Sequence, residues 1–160
     1  MTYLTAITYI HTAISLIAIP LGIMATARLF RPDLPGHWTR SFLWLAVLTS
    51  ATGFIFPFIG ITPAFVTGIV ALAVLAAMRW AYTHPEAAFA RWTYAGGMVA
   101  SLYLLIFVAV VQAFLKIPNL HALAPTGTEA PFAITQVLVL LVMVAIGIAA
   151  LRAFRWRTAL

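Results

Sequence analysis

SFLWLAVLTSATGFIFPFIGITPAFVTGIVALAVLAAM, residues 41–78, is a run of 38 residues without one charged side chain. As a single helix it would be about 57 Å long at ~1.5 Å per residue, nearly twice the ~30 Å hydrocarbon core of a bilayer. It therefore reads as two spans. The break is Pro57-Phe58-Ile59-Gly60-Ile61-Thr62-Pro63, two prolines flanking a glycine, which suits a tight hairpin at the far membrane face. The spans so defined, residues 41–56 and 63–78, are short, so they stand steeply or sit where the bilayer thins.

Working outward, the same pattern recurs. Residues 4–27 carry no charge and include Pro20, which predicts a kink near mid-helix. No basic residue precedes this run and no small-residue cleavage site follows a short apolar core, so a span is expected here and not a signal peptide. Residues 93–115 and 132–154 supply two more spans. Between them lies the longest polar connection, 116–131, whose three prolines argue against a regular helix. The expectation is an all-α integral membrane bundle of five transmembrane helices forming one domain over residues 1–160.

Composition agrees. Of 160 residues, 64% are hydrophobic and 8% charged, against about 45–50% and 25% in a soluble domain. Disorder, a collagen-like repeat and a disulfide scaffold are excluded. With no cysteine, thiolate metal sites, cysteine-bound iron–sulfur clusters and thiol catalysis are excluded too.

Orientation follows from the basic residues, since lysine and arginine are retained on the cytoplasmic side. Five spans put Arg28, Arg31, Arg40, Arg79, Arg91, Arg152, Arg155 and Arg157 on one face and only Lys116 on the other. The N-terminus is then outside and the C-terminus cytoplasmic, as in a multi-pass protein of a bacterial inner membrane. Trp38, Trp44, Trp80, Trp92 and Trp156 map near the same cytoplasmic boundary, as interfacial anchors do. The formal charge of +6 thus serves topology and contact with anionic lipid, and gives no reason to propose nucleic acid.

Helices in lipid associate by close packing. Small residues four apart, Ala64 and Gly68, Ala73 and Ala77, Gly96 and Ala100, Ala145 and Ala149, are candidate contact faces within the bundle or for self-association. Thr49, Ser50, Thr52, Ser101 and Gln112 are polar residues at membrane depth, expected to bond to backbone or across helices.

His11 is the one ionisable residue well inside a span, roughly 10 Å below the outer edge by helical rise. A neutral imidazole there can be a packed residue bonded to a carbonyl or to Gln136, a metal ligand, or an axial haem ligand. Its candidate partner is His121 in the outer connection, with Glu129 near in sequence and Gln112 on the fourth span. His11, His121 and Glu129 would form an acceptable zinc or copper set, although no spacing rule ties them together. His37 and His84 lie on the cytoplasmic side and read as solvated loop residues. Paired with the outer histidines they would suit a two-haem cytochrome b, but they lie too near the surface to bury a porphyrin. Met24, Met78, Met98 and Met143 could substitute as ligands, yet packing explains each more simply.

Thr52-Gly53-Phe54-Ile55-Phe56-Pro57-Phe58, Thr62-Pro63-Ala64, Val111-Gln112-Ala113-Phe114-Leu115-Lys116-Ile117-Pro118, and His121-Ala122-Leu123-Ala124-Pro125-Thr126 with Glu129, Pro131 and Phe132 resemble a family of small bacterial multi-helix membrane proteins without an established activity. The likeness covers most of the chain after the first span and implies a location more than a chemistry. Such sequences often carry histidine after Thr-Pro-Ala or after Phe-Pro-Phe, where this chain has Phe65 and Ile59. If the family's outer face binds a metal or haem through those positions, part of that site is missing here.

Two function classes follow. The first is a non-catalytic membrane protein, an accessory or structural subunit of a larger inner-membrane assembly. The second is a redox carrier holding b-type haem or a quinone near the outer face, around His11 and His121. A small-solute transporter is disfavoured, because no span but the first holds an acid or base and five helices do not divide into equal repeats. The first class is preferred: no phosphate loop, nucleophile–base pair or carboxylate pair is present, and Asp33, Glu86 and Glu129 all lie in connections.

Overall fold

The computed structural model describes residues 3–31, 33–56 and 62–155. Its elements are α1 (Tyr3–Ala27), α2 (His37–Gly53), α3 (Pro63–Thr83), α4 (Ala90–Lys116), α5 (Pro118–Leu123) and α6 (Ala130–Ala153), with no strand among the described residues. Four helices, α1, α3, α4 and α6, are long and apolar enough to cross a membrane. α2 has 17 residues, about 26 Å by helical rise, and is the shortest of the five long helices.

At the end that carries the arginines, α2 and α3 overrun the apolar runs that announce them. α2 begins at His37, four residues before the expected start at 41, and ends at Gly53, three short of the expected 56, while α3 continues to Thr83, five residues past 78. A charge ends a membrane-buried stretch but does not end a helix, so Arg40 and Arg79 are carried on helical extensions. What stops α3 is Pro85, which restricts the residue before it. There the Thr83 hydroxyl donates to the Arg79 and Trp80 carbonyls at 3.1 and 2.9 Å, and the His84 ring stacks on Trp80.

Prolines mark helix starts. Thr62 caps α3 by accepting from the Phe65 amide at 3.2 Å, with Pro63 in the first turn, where its missing N–H costs nothing. The rest of the expected hairpin, 57–61, lies outside the described residues. In the connection 116–131 the expectation of no helix is corrected: Pro118 opens the single-turn α5, and Pro131 sits in the first turn of α6. Three prolines excluded a long helix there but left room for a short one behind Pro118. α1 runs helically through Pro20, which is exposed on the outside of the bundle.

Contacts give the arrangement. α1 packs on α2 and α3 on α4, these pairs meet through α1–α4 and α2–α3 contacts, and α6 packs chiefly on α4. The dense core lies at one end, built from Ala25 and Leu29 of α1, Phe42 and Ala46 of α2, Met78 of α3, Ala95, Met98, Val99 and Leu102 of α4, and Met143 and Ala150 of α6. The same end carries Arg28, Arg31, Arg40, Arg79, Arg91, Arg152 and Arg155. Close approach there depends on glycine: a Cβ on Gly22 would lie 2.7 Å from Phe42 Cε2, and one on Gly97 would lie 2.9 Å from Met78 Sδ.

Two of the expected small-residue contact pairs face the other way. Ala73 with Ala77, and Ala145 with Ala149, are exposed, while α6 meets α4 through Met143, Gly147 and Ala150. Outward faces are apolar: Ile134, Val137, Leu138, Leu141 and Val142 of α6 are each more than half exposed. An apolar surface of that extent on four such helices is a surface for lipid.

Candidate functional site

At the opposite end α1, α2, α3 and α4 part. α1 to α4 line a partly open cavity of about 680 Å³, within the range of roughly 300–1,000 Å³ usual for small-molecule sites. Along α4 its lining reaches from Ser101 to Lys116, about 22 Å by helical rise, so it is long as well as large. The cause lies in the side chains. Where the dense end fills its centre with Phe42, Met78 and Met98, this end points alanine, glycine, serine and threonine inward: Ala64, Gly68 and Ala71 from α3, Ser15 from α1, Ala109 and Ala113 from α4. Gly68 does not bring two helices together here; its open side faces the Phe54 ring, 3.1 Å from where a Cβ would sit.

His11 lines this cavity. Its partner is not Gln136 or a carbonyl but Thr52 of α2, with Nδ1 2.9 Å from Oγ1. The Thr52 hydroxyl donates its one proton to the Leu48 carbonyl at 2.7 Å, with the Thr49 carbonyl at 3.1 Å. Its oxygen can therefore only accept from His11, which places a proton on Nδ1 and leaves the Nε2 lone pair uncommitted in the neutral ring. The imidazole also meets Phe56 edge to face at 5.6 Å. Ring-oriented and half-buried, His11 has the setting of a ligand-contacting residue as well as that of a packed one.

Several hydroxyls of the lining are internally satisfied. Thr8 donates to the Leu4 carbonyl, Ser15 to that of His11 and Thr67 to that of Pro63, each at 2.7–2.8 Å; Ser101 donates to Met78 Sδ at 3.7 Å. Thr49 Oγ1 is buried without a partner among the described residues. Gln112 and Lys116 also line the cavity, one helical turn apart on α4, and neither has a hydrogen-bond or ion-pair partner among the described residues. No acidic residue is in the lining.

The other expected site residues lie elsewhere. His121 is exposed on α5 and does not line the cavity. The Glu129 carboxylate closes the turn before α6: Oε1 accepts from the Thr126 amide and hydroxyl at 3.0 and 2.9 Å, and Oε2 from the Thr128 amide at 3.0 Å. The Thr126 amide is the largest of the influences that hold its pKa down to about 2. Among the described residues no three of His, Cys, Asp and Glu gather as a metal-holding group, so His11, His121 and Glu129 are not brought together. At the dense end His37 and His84 are exposed, and His84 Nδ1 is engaged by the Trp80 carbonyl and Thr83. Met78, Met98 and Met143 are core residues. Gln136 donates to the Phe107 carbonyl at 3.2 Å between α6 and α4.

The sequence marks His11, Thr49, Ser50, Ser101 and Gln112 as polar residues at depth, but not that they, with Lys116 and Phe65, surround one space. The available signal was the co-location of small and hydroxyl residues in one half of four consecutive helices, against bulky core residues in the other. What fold and site define is a helical membrane bundle, packed at one end and hollow at the other. No family model matches the chain, nor does any curated protein or solved structure.

Proposed function

We propose that this is a non-catalytic, multi-pass protein of a bacterial inner membrane. α1, α2, α3, α4 and α6 are its five spans, and its working part is the cavity, which holds a small membrane-soluble molecule. The observation that carries this reading is the combination of apolar walls with a few polar groups at one end, the usual composition of a small-molecule site. The orientation, N-terminus outside and C-terminus in the cytoplasm, is supported by the gathering of arginines at the dense end. It puts the cavity in the outer half of the membrane.

Among the redox alternatives a quinone suits the cavity better than haem. His11 is the only histidine, methionine or cysteine in its lining, so a porphyrin would find one ordinary axial ligand. A quinone needs only hydrogen bonds and apolar walls. The accessory-subunit reading is favoured by a separate observation: the alanine pairs on α3 and α6 are exposed, which leaves two small-residue faces open to another membrane helix.

The test is mass spectrometry of an organic extract of protein purified in mild detergent, wild type beside Ala71→Trp, whose indole would obstruct the cavity. A small molecule recovered near one equivalent from wild type and lost from the variant is expected. Equal recovery from both, or none from wild type, would overturn the reading.

A further inference from the structure

Resting on the cavity reading, we infer that the occupant is a single-chain amphiphile with an anionic head, seated with its head at Lys116 and Gln112 and its chain along α4. Two uncommitted donors, one of them a cation, stand together there. Thr8, Ser15 and Thr67 give their protons to carbonyls of their own helices, so toward the cavity they offer only lone pairs. The Gln112 amide and the Lys116 ammonium, four residues apart and thus on one helix face, have no partner among the described residues.

Charge points the same way. The lining contains one cation and no acid. The chain has only three acidic residues, Asp33, Glu86 and Glu129, and the carboxylate of Glu129 is committed to its own turn. Lys116 is an exposed residue of the lining, and its ammonium gains from an anion that neutralises it and accepts its hydrogen bonds. Below the head the walls are largely apolar, with Ile19, Leu75, Leu104, Leu105 and Val108 in the lining. The length, about 22 Å by helical rise, fits one extended chain. A carboxylate or a monoalkyl phosphate supplies the required head equally.

The experiment is native mass spectrometry of the full chain in maltoside micelles, titrated with laurate, dodecyl phosphate and the neutral dodecanol. Either anion should bind at one equivalent and about tenfold or more tighter than dodecanol, the order expected of a charge-assisted hydrogen bond. The tighter of the two identifies the head. Lys116→Gln should bring the anions to the level of dodecanol, Lys116→Arg should retain them, and Arg152→Gln, at the dense end, should leave them unchanged. Equal binding of dodecanol and the anions, indifference to Lys116→Gln, or equal loss in Arg152→Gln would each overturn the anionic head while leaving the cavity reading standing. If no probe binds to wild type or all bind unchanged to Ala71→Trp, the cavity reading falls with it.

Discussion

Replacing Gly22 by valine tests the packing that holds the dense end together. A Cβ at Gly22 would stand 2.7 Å from Phe42 Cε2 and 2.9 Å from Leu102 Cδ1, where ordinary contact begins at 3.4 Å. Phe42 is fully buried and Leu102 is 3% exposed, so the ring has no free space into which to withdraw the missing 0.7 Å. Overpacking of this kind costs about 1–3 kcal/mol, and valine gains only a few tenths over glycine in helix propensity, for a net loss near 2 kcal/mol. Gly22→Ala recovers up to ~1 kcal/mol of propensity and should be milder. Unfolding free energies from sodium dodecyl sulfate titration in mixed micelles measure both. In a double-mutant cycle, Phe42→Leu should relieve Gly22→Val by about 1 kcal/mol or more. Additivity within ~0.5 kcal/mol would refute the reasoning, because the two side chains would then not compete for the same space.

Three further outcomes are expected. In a cycle of His11→Ala with Thr52→Val, the same titration should give a coupling below ~1 kcal/mol but above zero, the range of polar pairs between membrane helices; zero coupling would contradict the inter-helix bond. The carboxyl of Glu129 is lowered from 4.5 to about 2, so its bonds contribute fully above the unfolded value and are lost as pH falls from 4.5 toward 2. Hydrogen-exchange protection of the Thr126 and Thr128 amides should follow that window and disappear in Glu129→Ala; protection indifferent to the substitution would contradict it. A fluorescent reporter fused after Leu160 should light up in the cytoplasm, whereas activity of a periplasmic reporter there would reverse the proposed orientation.

Helix existence was legible because it depends on a single property, apolarity sustained over a membrane thickness. Boundaries were less so: the reading stopped at Arg40 and Arg79, but backbone hydrogen bonding continues past a charge until proline or a cap intervenes. Proline in the 116–131 connection was read as a breaker, although at the first turn of a helix it is neutral, as Pro118 and Pro131 show. Small-residue spacing misled at Ala73 and Ala145 because the period gives a face and not its direction. His11 was legible as an exception to apolarity; its bond to Thr52, 41 residues away, was not. Helix pairing and rotation fix such a contact, and one sequence does not encode them in any local pattern. The cavity escaped notice for the same reason, since it is a property of four helices together.

The central claim is that the bundle is solid at one end and hollow at the other. It is tested most directly by comparing the thermal midpoints in mild detergent of Ala71→Trp and Ala95→Trp. Ala71 lines the cavity, and its indole should be taken up with a midpoint within a few degrees of wild type. Ala95 is fully buried in the dense core, and the same side chain there should lower the midpoint steeply or prevent folding. Equal, severe destabilisation by both would contradict the hollow end and the ligand-binding role built on it.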